Sequence, residues 1–200
     1  MNKTFLLREY YELCEGGICK DFLTEEEKKD ISENGAVYLT GIFQRANAKN
    51  YNGRIYRRPL LEREEKLYQK LINESRALGS LDHEDSSIVT LENASHLIKS
   101  LWWKDEELWG KLKVLREGKG KILRGHLADG VTIGISSRGL GSVRETNEGL
   151  LVEDDFQLIC FDVVSDPSTL NAFMRPMMME NKQVSTKADR LNRILAGIVE

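Results

Sequence analysis

The sequence predicts an α+β fold in which an antiparallel sheet or barrel is covered by helices. Short segments rich in β-branched and aromatic residues, bounded by turn residues, predict the strands. Other segments carry apolar residues at intervals of three and four, which predicts amphipathic helices. A chain of 200 residues suits one domain with a small appendage.

In the first half of the chain, the sequence predicts an apolar helix or strand at 4–13, followed by two helices and one strand. A polar helix is expected at 24–33, and residues 36–43 are β-rich. A polar loop follows, with a turn at Asn52-Gly53. Residues 59–78 then form an apolar stripe that predicts a long helix, with Pro59 in its first turn and Gly79 at its end.

The second half is mostly predicted as strands. Residues 96–103 and 108–115 flank a charged turn, and a short helix is expected at 120–128. Further strands are predicted at 131–137, 149–152 and 156–164. After Arg175-Pro176 the composition becomes that of a linker, and 188–199 predict an amphipathic helix. We therefore divide the chain into a main domain, 1–176, and a C-terminal tail, 177–200.

The composition argues against several functional classes. The net charge of −3, from 29 basic and 32 acidic residues, disfavours nucleic acid or an anionic membrane as the main partner. No run of about 18 apolar residues is present, so no membrane span is expected. Three cysteines without framework spacing indicate reduced thiols. Because no matching His/Cys pair accompanies them, no metal site and no cofactor are expected.

The most informative stretch is a serine pair at the end of an apolar strand that leads into a glycine-bracketed turn. It reads Gly134-Ile135-Ser136-Ser137-Arg138-Gly139-Leu140-Gly141. A strand end holds a side chain rigidly, and glycines allow a reacting carbonyl to approach backbone N–H groups. The stretch is therefore a candidate site for a nucleophile. It lacks the Gly-x-Ser-x-Gly elbow of serine esterases, because Ile135 and Arg138 flank the pair.

A serine nucleophile needs a base and a group that orients the base. The best candidate base is His83, which follows Leu81-Asp82 in a polar loop. His96 is expected to be a partly buried structural residue, and His126 a core histidine. Asp162 lies within an apolar strand, where a carboxylate is costly unless it is paired, so it is the candidate orienting group.

Strand alternation leaves the choice between Ser136 and Ser137 open. Ser137 falls on the face of Val131, Ile133 and Ile135, whereas Ser136 falls on the face of Thr132 and Gly134. Because the strand ends at this point, the period alone does not identify the nucleophile. The Arg138 side chain is expected to bind an oxyanion or a substrate carboxylate, or to pair with a surface acid.

Taken together, these residues resemble the prohead (procapsid) core proteases of tailed phages, in the branch found in large contractile-tailed phages. The resemblance spans about residues 41–176. The blocks that carry it are Gly41-Ile42-Phe43-Gln44-Arg45-Ala46, Asn50-Tyr51-Asn52-Gly53-Arg54-Ile55-Tyr56, Ala77-Leu78-Gly79-Ser80-Leu81-Asp82-His83, Leu101-Trp102-Trp103-Lys104, residues 134–142, Asn147-Glu148-Gly149 and residues 161–168.

The resemblance implies a fold like that of the herpesvirus protease assemblin, a β-barrel surrounded by helices. It implies His83 as base, Ser137 as nucleophile and Asp162 as third member. Ser137 is preferred over Ser136 because relatives often carry Ser-x-Gly at the nucleophile. The oxyanion would be held near Arg138 and Gly139.

The implied function is cleavage of scaffold and capsid proteins inside the assembling prohead in the host cytoplasm, followed by self-cleavage. Relatives cut after Glu in a Leu/Ile-x-Glu context, and Ile198-Val199-Glu200 fits that pattern. Scaffold, core and major capsid proteins would be the substrates, and self-association is expected. The alternative is a non-enzymatic core or scaffold component with an inactive protease fold. We further expect residues 177–200 to anchor the protease in the core or to block its site.

Overall fold

The computed structural model describes residues 23–177. Its helices are α1 (Glu25–Asn34), α2 (Arg58–Asn73) and α3 (Lys119–Ala128). Its strands are β1 (Val37–Arg45), β2 (Arg54–Ile55), β3 (Leu78–Ser80), β4 (Ala94–Lys104), β5 (Glu107–Val114), β6 (Gly134–Leu140), β7 (Val143–Thr146), β8 (Gly149–Val152), β9 (Gln157–Val164) and β10 (Arg175–Met177). The predicted α+β class is confirmed.

Helix α1 belongs to a separate unit from Gly35–Met177 and is described by itself. It begins with a capping box, in which the Glu27 N–H donates to Thr24 Oγ1 at 3.2 Å and the Thr24 N–H donates to Glu27 Oε2 at 2.9 Å. This reciprocal pair satisfies two backbone donors that the first turn of a helix leaves unpaired. The polar helix predicted at 24–33 is thus confirmed.

The strands of Gly35–Met177 form three sheets. A five-stranded antiparallel sheet has the order β10-β1-β5-β4-β3, a three-stranded sheet has the order β2-β8-β7, and β6 pairs with β9. Two isolated bridges connect the first sheet to the third, Leu81 with Val163 and Gly134 with Phe173. Leu81 follows β3 and Phe173 precedes β10, so these single bridges bring the two ends of the five-stranded sheet beside β9 and β6. The strand ladders of the described residues form three separate sheets and not the closed barrel that the resemblance implied.

The largest hydrophobic core lies between the strands of the five-stranded sheet and the β6–β9 pair. Its fully buried side chains include Leu39, Phe43, Ile98, Leu112, Ile135, Phe161 and Val163. Phe161 packs edge-on against Phe43 and Tyr68, with ring centroids 5.0 and 5.6 Å apart. Burial of these apolar groups is the main stabilising contribution, and it fixes the inward face of β9.

The two helices of this unit cover the sheets from outside. Helix α2 packs on β4 and β9, and α3 packs on β4 and β5. Glu64 on α2 is buried and accepts a hydrogen bond from the Leu158 N–H at 2.8 Å. Among residues 23–177, no helix is long and apolar enough to cross a membrane.

The prediction that α2 extends to Gly79 is wrong. The helix ends at Asn73, Ser75 takes a left-handed φ of +55°, and Gly79 lies in strand β3. A Cβ at Gly79 would lie 2.0 Å from the Phe161 carbonyl oxygen and 2.3 Å from His96 Nε2. The glycine is therefore needed for close strand packing and does not cap a helix.

The C-terminal end of the described residues forms a further strand. Strand β10, which the sequence did not predict, pairs Met177 with Tyr38 and Pro176 with Leu39. Pro is tolerated here because β10 is an edge strand. The segments predicted at 4–13 and 188–199, like the rest of the tail after Met177, lie outside the described residues.

Candidate active site

The site is centred on a contact between His83 and Asp162. His83 Nδ1 lies 2.8 Å from Asp162 Oδ2. The His83 side chain is 46% exposed, whereas Asp162 has no exposed surface. When Nδ1–H donates to the carboxylate, Nε2 is left as the proton acceptor, and it belongs to the solvent-accessible side chain.

The loop that carries His83 is fixed against strand β9 by the backbone. Leu81 forms a parallel bridge with Val163, and the Asp82 N–H donates to the Val163 carbonyl oxygen at 2.8 Å. Asp82 takes a left-handed φ of +65°, a conformation that Asp tolerates better than most residues. The chain therefore turns immediately after β3 and places His83 beside Asp162.

Asp162 is buried but well supplied with donors. Besides His83, it accepts from the Ser80 N–H at 2.9 Å, from Arg138 Nε at 2.7 Å and from Arg138 Nη2 at 3.1 Å. Cys160 Sγ lies 3.3 Å from Oδ1. Burial acts to raise the pKa of Asp162, but the hydrogen bonds from His83, Arg138 and Ser80 outweigh it and lower the pKa to about 2. The carboxylate is therefore ionised at neutral pH.

The register between β6 and β9 separates the two serines. Ser136 is paired with Asp162, and Ser137 is paired with Phe161. Directly paired residues project from the same face of an antiparallel sheet. Ser136 thus shares the face of Asp162, while Ser137 shares the face of the core residue Phe161.

The hydroxyl of Ser137 has its own partners on that inner face. It accepts a hydrogen bond from Gln44 Nε2 at 3.0 Å, and Gln44 Oε1 in turn accepts from Thr169 Oγ1 at 2.6 Å. Tyr56 also forms a side-chain hydrogen bond with Ser137. These contacts connect Ser137 to a polar network at the end of the core.

Arg138 and Gly139, the residues expected near the oxyanion, are both in close contact with neighbouring groups. The Arg138 side chain is only 9% exposed and forms an ion pair with Asp162. Gly139 is packed closely, since a Cβ there would lie 2.5 Å from the Phe156 ring. Sequence reasoning missed the pairing of Arg138 with Asp162. The signal that could have found it is the cost of a buried carboxylate, which requires a cation or several donors nearby.

The remaining histidines are not part of the site. His96 is fully buried, with Nε2 2.9 Å from the Phe161 carbonyl oxygen and Nδ1 2.8 Å from Ser95 Oγ. Burial lowers the pKa of His96 to about 4, so it stays neutral and structural. The prediction that His126 is a core histidine is wrong: α3 buries Gly120 and Leu123, and His126 is exposed. Within 23–177, no three His, Cys, Asp or Glu side chains are grouped to hold a metal ion.

Comparison with known proteins identifies the relatives of this arrangement. A family described as prohead core protein serine protease matches residues 9–184. The chain is 34% identical to the prohead core protein protease of Enterobacteria phage T4 over 185 residues, which are 87% of this chain and 86% of the relative.

Solved structures give a consistent result. The bacteriophage T4 capsid assembly protease superposes with a TM-score of 0.62 and 34% identity, covering 64% of this chain and 80% of that chain. A protease of the herpesvirus KSHV reaches a TM-score of only 0.41 at 9% identity, over 82% of this chain and 77% of that chain. The T4 structure supports the mixed helix and antiparallel-sheet fold, whereas the KSHV match is too low to add to it.

Proposed function

Because the chain belongs to the prohead core protein serine protease family and is a prohead core protease, we propose that it cleaves peptide bonds by acyl transfer to a serine of strand β6. The single observation that carries this proposal is the 2.8 Å contact between His83 Nδ1 and the buried carboxylate of Asp162. It supports an oriented imidazole beside the strand that holds the serine pair.

In the proposed mechanism His83 is the general base and Asp162 orients it. His83 Nε2 takes the proton from the serine hydroxyl as Oγ attacks the scissile carbonyl, and it then returns the proton to the leaving amine. A water, activated in the same way, releases the acyl group. Asp162 remains ionised throughout and stabilises the imidazolium that forms.

Two observations favour different serines as nucleophile. The resemblance of Ser137-Arg138-Gly139 to a Ser-x-Gly pattern favours Ser137. The register favours Ser136, because its side chain shares the face of Asp162, whereas the Ser137 hydroxyl is held by Gln44 on the inner face. We propose Ser136, since a nucleophile must lie within reach of its base and the strand pairing puts the two serines on opposite faces.

The oxyanion is proposed to be held by backbone N–H groups near Arg138 and Gly139. The Arg138 side chain is a poor candidate for this role because Asp162 already binds it. We propose further that the enzyme cleaves scaffold, core and major capsid proteins, and then itself, after Glu in a Leu/Ile-x-Glu context. This work would take place inside the assembling prohead in the host cytoplasm, where the protease self-associates.

The test is cleavage of a peptide containing Ile-x-Glu, followed over time by mass spectrometry. We expect the wild type and Ser137→Ala to cut after Glu. Ser136→Ala should be slower by about 10³-fold or more, because removal of a nucleophile leaves only binding and electrostatic contributions. The two alanine variants are matched controls, since they are adjacent and differ only in the face of the strand.

Three other outcomes would each change the proposal. Loss of activity in Ser137→Ala alone would transfer the nucleophile to Ser137. Equal cleavage by the wild type and both variants would contradict the serine mechanism. No cleavage by any of them, with no labelling by a fluorophosphonate probe, would favour a non-enzymatic core component.

A further inference from the structure

Arg138 connects the three segments from which the candidate site is built. It lies on β6, two residues after Ser136 and therefore on the same face of the strand. Its guanidinium forms a fork on Asp162 of β9, with Nε 2.7 Å from Oδ2 and Nη2 3.1 Å from Oδ1. It also reaches the loop that carries His83, where Nη1 donates to the carbonyl oxygens of Glu84, at 3.3 Å, and of Ser86.

Every donor of the guanidinium is used in these contacts. A guanidinium has five N–H donors and no acceptor. Besides the two oxygens of Asp162 and the two loop carbonyls, Nη2 lies 3.3 Å from Ser80 Oγ, which itself donates to Glu84 Oε1. Five acceptors thus face five donors, so no donor remains for an oxyanion or a substrate carboxylate.

The ion pair with Arg138 also compensates the negative charge of Asp162. A carboxylate with no exposed surface is unfavourable unless a cation and several donors compensate it. Arg138 is charged at all relevant pH values, whereas His83 is charged only when protonated. Arg138 therefore gives Asp162 a permanent positive partner.

We propose that Arg138 is a positioning residue for the acyl transfer: it clamps the His83 loop onto strand β9 and pairs with Asp162, so that the His83 ring is held in its orientation beside the carboxylate. This inference rests on the proposed function of His83 as general base. It assigns Arg138 a role through Asp162 and the loop, without contact with the substrate.

Removal of the Arg138 charge should also change the pH at which His83 is protonated, an effect that a purely structural clamp would not produce. Without the guanidinium, the buried carboxylate of Asp162 would face His83 alone and would favour the imidazolium. His83 would then take up its proton at a higher pH. The acid limb of the kcat/KM profile should move up by about one pH unit, because the free base is the active form.

The other ionisable groups around the pair do not give the same effect. Burial raises the pKa of Cys160 on β9 and of Tyr68 on α2, and it lowers the pKa of His96 on β4 to about 4. Hydrogen bonds from Ser80 and Asn93 lower the pKa of Glu84 on the loop. None of these groups changes its charge between pH 5 and 8, the range of the expected shift.

The experiment compares Arg138→Gln and Arg138→Lys with the wild type in the full chain, and uses Arg144→Gln as control. Arg144 is a nearby exposed arginine that pairs with Glu153 on the surface. Two quantities are measured: the pH profile of kcat/KM, and the pH at which the His83 imidazole is protonated, followed by NMR in a Ser136→Ala background. The NMR measurement needs no activity, so failure of this proposal is separable from failure of the proposed function.

We expect Arg138→Gln to lose about 100-fold in kcat/KM at neutral pH, and both pH curves to move upward. Arg138→Lys keeps the charge but not the fork, so it should leave the His83 titration near that of the wild type and recover part of the activity. Arg144→Gln should match the wild type. An unchanged His83 titration in Arg138→Gln would overturn the proposal, as would a loss of kcat with an unmoved pH profile, which would indicate direct contact with the reacting group.

Discussion

At the scale of single residues, the candidate site depends most on Asp162. It is a fully buried carboxylate whose neighbours reverse the effect of burial on its pKa. Four donor groups converge on it from the His83 loop, the end of β3, strand β6 and its own strand. The donors that hold Asp162 beside His83, the proposed base, therefore also keep the carboxylate ionised.

This charge state predicts a pH dependence of stability. The pKa of Asp162 is about 2 in the folded protein and 3.8 ordinarily, so folding is favoured by the ionised form. The contribution, of order 2 kcal/mol, is fully present above pH 4 and is lost as the pH falls through about 2. Urea unfolding of the wild type and Asp162→Asn should show a difference in unfolding free energy that shrinks as the pH falls from 5 to 2.

The control for this prediction is Asp154→Asn. Asp154 pairs with Arg57 at 2.7 Å, but both side chains are largely exposed. Exposed pairs contribute little, so this variant should differ from the wild type by less than about 0.5 kcal/mol at every pH. A wild-type advantage over Asp162→Asn that stays constant down to pH 2 would contradict the lowered pKa.

At the scale of elements, strand β3 connects packing to the site. It has only three residues, and it ends where the Ser80 N–H binds Asp162 and the His83 loop begins. Gly79 allows this close approach because it has no Cβ to meet the Phe161 carbonyl and His96. The geometry of the candidate site therefore depends on a glycine at position 79.

We predict opposite effects for two Gly→Ala substitutions. Gly79→Ala should lower the unfolding free energy by about 3 kcal/mol, because backbone and a buried ring would have to move. Gly125→Ala, on helix α3 with nothing within 4 Å of the added Cβ, should raise it by about 0.5–1 kcal/mol. Denaturant unfolding at pH 7 measures both. Equal stabilities for the two variants would contradict the close packing around Gly79.

At the scale of the whole unit Gly35–Met177, the three sheets bring distant parts of the sequence together. The seam between β3 and β9 is the place where the His83 loop meets Asp162, and it is held by a single bridge and one backbone hydrogen bond. The elements of the candidate site therefore lie where the pairing between sheets is shortest.

The tail after Met177 gives a prediction at this scale. We propose that it anchors the protease in the head core or blocks the active site, and that Gly35–Met177, a compact unit by itself, contains the elements of the site. A chain truncated after Met177, which keeps the pairing of β10 with β1, should change either peptidase activity or incorporation into heads. Peptide cleavage and head incorporation measured beside the full chain test this, and an unchanged result in both would refute it.

The sequence alone determined most of the helices and strands and the candidate site residues. Apolar patterns located α3 and most strands, because burial of one face imposes a period on such a segment. Helix α1 was predicted as a polar segment. The cost of a carboxylate in an apolar strand singled out Asp162 without any structure. The motifs together were enough for the family, since blocks of residues in a fixed order are properties of the chain.

Tertiary structure decided which of these residues meet. The end of α2 and the strand at Gly79 depend on contacts with His96 and Phe161, which are distant in sequence. The separation of Ser136 from Ser137 and the pairing of Arg138 with Asp162 depend on the register between β6 and β9. A shift of one residue in that register would exchange the faces of both serines, and only the packing of the two strands against one core fixes it.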